Sequence, residues 1–395
     1  MADAATIQGE CDPRFAPLRA AFAENFERDG EVGAAVAVMV DGRMVVDLWG
    51  GLADGAQGRA WQRDTTACMM SVAKGFVALA AAKLVERGLL DLDAPVARHW
   101  PDFAQQSKQA VTARQVLAHT AGIPVADAAA SGSIYDWDAM VGAIAAQAPL
   151  WAPGAVRCYH SATMGFVIGE LVRRIDGRPF ARFVAEEIAS PLGLDYAFGL
   201  SAEDQARCAT MLPASGTLIT GKPGAGGKSG LGARLWGALA EDEDFNSPAW
   251  RGADIPSANG HGTARAVARL YGALALGGTL DGVRVIGPET LARFTELQWE
   301  GGTWMRLDAA PPAEPEPVDP EMYRRMGLGW LLDSAPGRPQ GFSGQGYGHS
   351  GAGGAQAFAD PAYRLGFCYA PNRMHGGVDI GPRARRVMEA LRQCL

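Results

Sequence analysis

Ser71 and Lys74 lie three residues apart at the start of the apolar stretch 69–88. Lysine is rare here, since five lysines occur among the thirty-six basic residues. Residues i and i+3 share one face of a helix, so the amine of Lys74 can reach the hydroxyl of Ser71. A serine hydroxyl becomes a nucleophile when a nearby base takes its proton, and burial lowers the pKa of a lysine enough to make it such a base. The pair therefore predicts nucleophilic catalysis through Ser71.

The spacing alone leaves a second interpretation open. Phe76, Val77 and Leu79 would give Lys74 an apolar neighbourhood, and a helix N-terminus favours a nearby oxyanion. However, a Ser-x-x-Lys spacing is expected by chance about 0.2 times in a chain of this composition. Ser71 would then simply cap the helix, and Lys74 would be exposed.

Two later segments carry further polar groups. The turn at Pro153-Gly154 is followed by the sequence Tyr-His-Ser at 159–161, directly before a predicted helix over 162–177. Near the C-terminus, the sequence His-Ser-Gly at 349–351 lies on a predicted strand and is followed by small residues. Small residues allow a ligand to approach the backbone closely.

Elements that would position these groups follow from apolar periodicity. The runs 32–40 and 43–51, joined by Asp41-Gly42, predict a β-hairpin. Strands are also predicted within 326–333, 347–361 and 363–372. Helices are predicted at 13–29, 71–88, 112–122, 162–177, 180–193, 262–278, 287–299 and 382–394.

This order of elements predicts a mixed α/β fold in which an antiparallel sheet, built from both chain ends, is flanked by terminal helices. The α/β domain would comprise residues 1–65 plus 259–395. A mostly helical domain, residues 66–258, would be inserted into it, with the active site in the cleft between the two. The segments 213–230 and 309–321 are rich in Gly and Pro and are predicted to be loops.

The composition argues against some classes of binding partner. The chain has 395 residues and a net charge of −7, which argues against nucleic acid and anionic membrane surfaces. No apolar run reaches the roughly 18 residues of a membrane span, and residues 1–15 do not resemble a secretory signal. We therefore expect a cytoplasmic monomer or homodimer that acts on a small molecule. The six cysteines show no C-x-x-C spacing, and we expect them to be buried side chains.

Further motifs carry a family resemblance: LAHTAGIP at 117–124, the Pro-Gly before the tyrosine, PLGL at 191–194 and GLGW at 327–330. With the Ser-x-x-Lys pair, these motifs follow one another in the order and at the distances found in penicillin-recognising serine hydrolases. The chain resembles in particular the class C β-lactamase-like esterases called family VIII carboxylesterases. The resemblance spans most of the chain and implies a β-lactamase-like fold.

The resemblance also implies roles for individual residues. Ser71 would be the acylated nucleophile and Lys74 its proton acceptor. Tyr159 would move protons to the leaving group and to water, either as a phenolate or through a hydrogen bond, and nearby cations would lower its pKa. The backbone N–H groups of Ser71 and Ala352 would form the oxyanion hole, which stabilises the developing negative charge.

Two positions depart from the antibiotic-processing relatives. Those relatives carry Tyr-x-Asn where this chain has Ser161 as the third residue, and Lys-Thr-Gly where it has His349, Ser350 and Gly351. A histidine that is neutral near pH 7 holds a β-lactam carboxylate less well than an ammonium does. The resemblance therefore implies hydrolysis of short- to medium-chain carboxylic esters, with weak β-lactam hydrolysis as a side activity and with neither metal nor organic cofactor.

Other functions remain open at this stage. They are a β-lactamase or D-alanyl-D-alanine peptidase-like enzyme, and a penicillin-binding module that is acylated once without turnover. The sequence GHSGA at 348–352 nearly matches the nucleophile elbow of α/β-hydrolases, but that elbow needs a helix after the serine, and none is predicted. The six histidines lack paired metal-ligand spacing, and His261 stays unassigned, as does any cover of the pocket by the 309–321 loop.

Overall fold

The computed structural model describes residues 6–214, 231–239, 244–303, 318, 322–376 and 380–395. The helices in this part of the chain are α1 Ala16–Arg28, α2 Lys74–Glu86, α3 Ala113–Leu117, α4 Trp137–Ala146, α5 Thr163–Asp176, α6 Phe180–Val184, α7 Ser190–Leu192, α8 Ala202–Ala206, α9 Leu231–Arg234, α10 Pro248–Gly252, α11 Ala264–Ala275, α12 Pro288–Thr295 and α13 Gly381–Arg392. The strands are β1 Gln8–Cys11, β2 Gly33–Val40, β3 Arg43–Asp54, β4 Arg59–Ala60, β5 Ala67–Cys68, β6 Tyr196–Ala197, β7 His261–Gly262, β8 Thr279–Leu280, β9 Val283–Arg284, β10 Trp299–Gly301, β11 Arg324–Met326, β12 Leu331–Leu332, β13 Tyr347–Ser350, β14 Gln356–Asp360 and β15 Leu365–Pro371.

One large antiparallel sheet organises the molecule. Its strand order is β1-β3-β2-β15-β14-β13-β12-β11-β10, and β4 pairs with β3 outside this path. The first three strands come from the N-terminal end of the chain, and the others come from residues after 298. Strand β2 joins the two groups because its residues Ala34 to Val40 pair with β15, where Ala37 lies opposite Cys368. The predicted antiparallel sheet built from both chain ends is confirmed.

The two faces of this sheet are covered by different helices. Along β2, Val36 and Val38 belong to the core that contains residues of α1 and α13. Ala37 and Met39, which alternate with them, belong to the larger core that contains α2 and α11. Because successive side chains of a strand point to opposite faces, this alternation gives a sheet with helices on both sides. The predicted terminal helices therefore form one outer layer.

The β2–β3 hairpin follows its sequence signal closely. Asp41 and Gly42 have φ values of +49° and +77°, as a type I′ turn requires at both central positions. Asp tolerates this left-handed backbone better than most residues, and Gly adopts it freely. The turn residues therefore determine the register of the two longest strands.

Several element boundaries differ from the predictions. Strand β1 was not predicted, because its four residues alternate too briefly to give a period. Helix α3 ends at Leu117 instead of continuing to residue 122, since His119 has a φ of +58°. The helix predicted over 287–299 ends at Thr295, and the chain then enters strand β10.

The segment between the two groups of sheet strands is rich in helices, as predicted. It also contributes β5 and β6 to a small sheet, in which both strands pair with β7. The division at residues 65 and 258 stays a prediction. Residues 215–230 of the first predicted loop, and residues 309–317 and 319–321 of the second, lie outside the described residues. No helix within the described ranges has the length and apolar character needed to cross a bilayer.

Helix α11 lies directly against the sheet backbone at Gly366 of β15. A Cβ atom at this position would lie 2.1 Å from the backbone nitrogen of Gly272 and 2.3 Å from the carbonyl oxygen of Ala268. Both atoms belong to the helix backbone, so they cannot move aside as a flexible side chain would. The close packing of helix on sheet therefore depends on the missing side chain.

Gly366→Ala should lower the free energy of unfolding by at least about 2 kcal/mol, because overpacked cores strain the backbone. Gly142→Ala is the matched control, since Gly142 lies in α4 and nothing would stand within 4 Å of its added Cβ. That change should be neutral or stabilise the helix by up to about 1 kcal/mol. Chemical denaturation of the three proteins measures both effects, and equal stabilities for Gly366→Ala and the wild type would contradict the packing argument.

Candidate active site

Ser71 lies in a short 3-10 turn, Met70–Ala73, that leads directly into α2. Residues i and i+3 are eclipsed in this conformation, which places the side chain of Lys74 directly over that of Ser71. The Lys74 Nζ atom lies 3.1 Å from the Ser71 Oγ atom. The preceding residue, Met70, has a φ of +48°, a strained backbone of the kind often found beside functional groups. The predicted proximity of amine and hydroxyl is therefore present.

Lys74 is fully buried, with a relative exposure of 0 %. Burial holds the pKa of its amine well below the ordinary value for lysine. The amine also donates a hydrogen bond of 3.0 Å to the carbonyl oxygen of Ser257. A neutral amine keeps a lone pair, so it can accept the proton of the Ser71 hydroxyl at this distance. The alternative of an exposed lysine beside a capping serine is wrong.

Ser257 was not predicted as a site residue. Its hydroxyl accepts a 2.9 Å hydrogen bond from the backbone N–H of Gly165, in the first turn of α5. A Cβ atom on Gly165 would lie 2.4 Å from that hydroxyl, so α5 packs directly against Ser257. Helix α5 therefore sets the position of the carbonyl that orients Lys74. A backbone carbonyl leaves no signal in the sequence, which is why this group was missed.

Tyr159 lies on the other side of Lys74, whose Nζ atom is 4.8 Å from the centre of the tyrosine ring. The Tyr159 hydroxyl is 3.4 Å from the Nε2 atom of His349. Burial raises the pKa of Tyr159 above its ordinary value, and a hydrogen bond with Ser71 offsets only part of that rise. The expectation of a lowered pKa is wrong, because removal from water outweighs the nearby positive charges. Tyr159 is therefore a neutral phenol that holds a transferable proton.

His349 is also neutral, as predicted. Its Nδ1 atom is 2.7 Å from the carbonyl oxygen of Ser350, so Nδ1 carries the hydrogen and Nε2 accepts from the Tyr159 hydroxyl. Burial lowers the pKa of His349 to about 3. The imidazole thus adds no positive charge to the site.

Two further histidines lie next to Tyr159: His119 packs against its ring, and His160 is hydrogen-bonded to His119. The ring of His119 lies 4.7 Å from that of Tyr159, measured between centres. The Nδ1 atom of His119 accepts a 3.0 Å hydrogen bond from the backbone N–H of His160. His160 in turn donates from Nδ1 to the carbonyl oxygen of Cys158 at 2.6 Å and accepts from the N–H of Ile123 at 3.2 Å. His119, which lies in the LAHTAGIP motif, thus packs directly on the predicted catalytic tyrosine.

Strand β13 approaches the nucleophile through Gly351. A Cβ atom on Gly351 would lie 2.1 Å from the carbonyl oxygen of Met69, two residues before Ser71. This contact brings the chain that carries Ala352 next to the turn that carries Ser71. Backbone N–H groups in the first turn of a helix have no partner within that helix. The arrangement supports the predicted oxyanion hole, whose two donors stay a prediction.

Other sequence-predicted residues lie near this centre. Ser161 is buried, with 5 % exposure, and its role stays a prediction. Ser350 ends β13 and is followed by a turn into strand β14, so the GHSGA sequence lies in an antiparallel hairpin instead of a strand-helix elbow. His261 lies in β7, where it is paired with β5 and β6 and donates to the carbonyl oxygen of Asn259 at 2.6 Å. All six cysteines are free thiols.

Comparison with known proteins shows the family of this chain. The model of the Beta-lactamase family matches residues 18–392. The chain belongs to the β-lactamase family. Its relatives include the esterase/beta-lactamase LipL of Mycobacterium tuberculosis, which is 32 % identical over 381 residues, or 93 % of this chain and 83 % of LipL.

Solved structures of this family share the whole fold. One of them is a family VIII carboxylesterase that is 36 % identical to this chain. The match covers 99 % of this chain and 100 % of the carboxylesterase chain, with a TM-score of 0.86. A penicillin-binding protein homolog from Caulobacter crescentus, also 36 % identical with the same coverage, has a TM-score of 0.87. The predicted β-lactamase-like fold and the resemblance to family VIII carboxylesterases are confirmed.

The buried histidines should make the protein sensitive to acid. Burial lowers the pKa of His160 to about 4, whereas an unfolded histidine titrates near 6.5. Between these values the unfolded chain binds a proton that the folded chain does not, so stability is full above about pH 6.5 and is lost as the pH falls toward 4. The wild type should lose stability between pH 7 and pH 5, and His160→Asn should make this loss of unfolding free energy smaller by about 1–2 kcal/mol.

Asn keeps a donor and an acceptor at this position, so the variant should still fold. His99→Asn serves as the control, because His99 is only partly buried and its removal should leave most of the acid loss in place. Unfolding free energies at the two pH values measure the effect. The same acid loss in wild type and His160→Asn would show that this histidine is not the source.

Proposed function

We propose that this protein hydrolyses short- to medium-chain carboxylic esters through an acyl-enzyme on Ser71. The observation that supports this most directly is the buried amine of Lys74, 3.1 Å from the Ser71 hydroxyl. The family supports the same reaction type, since the relatives include proteins described as an esterase/beta-lactamase and as a family VIII carboxylesterase.

Acylation would begin when the neutral Lys74 amine takes the proton of the Ser71 hydroxyl. The Oγ atom bonds to the ester carbonyl carbon, and the carbonyl electron pair moves onto oxygen. The N–H groups of Ser71 and Ala352 would stabilise that oxyanion, a contribution of roughly 3–4 kcal/mol for each such donor in other hydrolases. The carbon–alkoxy bond then breaks, and the alcohol leaves with a proton.

Tyr159 would supply that proton. Its hydroxyl is a neutral donor that contacts both Ser71 and His349. The phenol gives its proton to the departing alkoxide and regains one from the Lys74 ammonium, whose proton came from Ser71. In deacylation, water attacks the acyl carbon, its proton passes along the same groups in reverse, and the acid is released with Ser71 restored.

The neutral state of His349 favours esters over β-lactams as substrates. An ammonium at this position would hold a β-lactam carboxylate, and a neutral imidazole cannot do so by charge. An alkoxide is also a better leaving group than an amide nitrogen. The relative LipL is described as both esterase and β-lactamase, which supports a weak β-lactam activity as the second candidate.

The proposed two-part division would place the site where the parts meet. Ser71, Lys74 and Tyr159 come from the helix-rich segment 66–258, and His349 comes from the sheet. Catalysis would then depend on the packing of one part against the other. We further propose a cytoplasmic location and a monomer or homodimer as the working unit.

Ser71→Ala tests the nucleophile. The wild type should turn over 4-nitrophenyl acetate and butyrate steadily, and the variant should lose at least about 10³-fold in kcat because no acyl-enzyme can form. Ser133→Ala, at a serine in a different turn whose hydroxyl donates to Ala130, should keep the wild-type rate. Unchanged turnover by Ser71→Ala would refute the nucleophile, and a single burst in the wild type with a lasting increase in mass would indicate an acylated trap.

Lys74→Met tests the base. Removing the proton acceptor should lower kcat for the same esters about 10²- to 10⁴-fold. Lys83→Met is the matched control, because Lys83 is a second buried lysine of α2 whose amine donates at 2.8 Å to the carbonyl of Val285, outside the site. It should keep kcat near the wild-type value. Equal losses in the two variants would show that buried amines in α2 act through stability alone.

A further inference from the structure

His119 holds the segment that carries Tyr159 from both sides. Its carbonyl oxygen accepts a 3.1 Å hydrogen bond from the backbone N–H of Cys158, and its Nδ1 atom accepts a 3.0 Å hydrogen bond from the backbone N–H of His160. These two donors are the immediate neighbours of Tyr159 in the chain. The ring of His119 also packs on that of Tyr159, with 4.7 Å between the ring centres and 42° between the planes. One residue therefore positions both the backbone and the ring of the proposed proton donor.

The backbone of His119 is itself unusual. Its φ of +58° lies in the left-handed region, which residues other than glycine seldom adopt. Backbone strain of this kind clusters at functional sites, where the surrounding structure maintains it. Here the strained residue is the one that contacts Tyr159.

The hydrogen bond from His160 also determines which ring nitrogen of His119 carries the hydrogen. Burial holds the pKa of His119 well below its ordinary value, so the imidazole is neutral and has one N–H group. Because Nδ1 is the acceptor, the hydrogen is on Nε2. His119 is 1 % exposed, and Nε2 has no hydrogen-bond partner among the residues that the structure describes. A buried donor without a partner is rare in native proteins.

The proposed reaction puts a negative charge on Tyr159 for a short time. When the phenol proton passes to the departing alkoxide, the phenol oxygen becomes negative and the charge spreads into the ring. The nitrogen of His349 that faces the Tyr159 hydroxyl is an acceptor, so it cannot stabilise this charge by donating a hydrogen. The Nε2–H group of His119 belongs to a ring in contact with the phenol and is not engaged elsewhere in the described structure.

We propose that His119 is a positioning residue for Tyr159, and that its Nε2–H group stabilises the phenolate formed when Tyr159 protonates the leaving alcohol. In this step the phenol O–H bond breaks and an O–H bond forms on the alkoxide. The phenolate then regains a proton from the Lys74 ammonium, and His119 neither gives nor takes one. The inference rests on the proposed ester hydrolysis and assigns one residue to a single step of it, the departure of the alcohol.

Two acetate esters that differ in the alcohol test this role. 4-Nitrophenyl acetate releases a phenolate that needs no proton, whereas benzyl acetate releases an alkoxide that must be protonated as it leaves. The value of kcat/KM includes acylation and not deacylation, so the ratio of the two values measures how well the leaving group is protonated. His119→Asn should lower kcat/KM for benzyl acetate about 10-fold relative to 4-nitrophenyl acetate, because an interaction with a charged group is lost.

The choice of variants separates this role from a structural one. Asn tolerates the left-handed backbone, and its carbonyl oxygen can accept from the N–H of His160, so His119→Asn removes the Nε2–H group and keeps the fold. His119→Gln, whose longer amide reaches as far as Nε2, should recover part of the ratio. The control is His261→Asn, at a buried histidine of β7 that donates to the carbonyl of Asn259 at 2.6 Å. Its ratio should stay at the wild-type value, and thermal unfolding identifies any loss of fold.

An unchanged ratio in His119→Asn would overturn the proposal. An equal loss with both esters would overturn it as well, since a residue that only supports the fold slows both reactions alike.

The ionisation of Tyr159 gives a second readout that needs no turnover. Fluorine NMR of protein labelled with fluorotyrosine follows each tyrosine as the pH rises, and Tyr159→Phe identifies the signal of Tyr159. Its titration should move to higher pH in His119→Asn, because the lost donor stabilises the phenolate. Identical titrations would overturn the proposal. A wild type that hydrolyses neither ester would refute the proposed function instead, and this titration would still decide the role of His119.

Discussion

The burial of one lysine amine without a carboxylate partner is the constraint on which the site depends. An ammonium ion transferred from water to a protein interior loses far more solvation energy than a single carbonyl returns, so Lys74 gives up its proton instead. The amines of the other two described lysines are also withdrawn from water, but they have other partners. Lys108 donates to three backbone carbonyls, and burial lowers its pKa only to about 8. Lys83 has the carboxylate of Glu187 at 4.0 Å. Of these three described lysines, Lys74 alone has a serine hydroxyl as a partner, and that hydroxyl is the proposed nucleophile.

The rest of the fold buries the Lys74 amine and orients it. Helix α5 packs on Ser257 and so sets the carbonyl that orients the amine from one side. Tyr159 covers it from another side and is itself supported by the ring of His119. Strand β13 closes the site through the contact of Gly351 with the backbone of Met69. Each contact joins parts of the chain that are far apart in sequence, so the reactive state of Ser71 is a property of the whole fold.

Local signals in the sequence account for what could be predicted. The spacing of Ser71 and Lys74 acts within one turn, and the Asp-Gly pair acts within one hairpin, so both were recognised directly. The site residues from distant segments were recognised through a family resemblance, because no local pattern relates Tyr159 or His349 to Ser71. The carbonyl of Ser257 could not be found in this way, since only the tertiary packing places it beside Lys74. The direction of the shift in the pKa of Tyr159 was predicted wrongly. Burial determines this direction, and burial cannot be read from the neighbouring residues in the sequence.

The pairing of β2 with β15 has a consequence for how the protein is made. The central strands of the sheet carry residues near 37 and 368, so they can pair only after the long segment between them has been synthesised. Until then one edge of the N-terminal hairpin stays open, and β13 cannot reach the turn that carries Ser71. Contacts of such long sequence separation form slowly, and open strand edges invite aggregation during synthesis. The nascent chain is therefore most vulnerable to aggregation until β15 emerges and covers the open edge of β2.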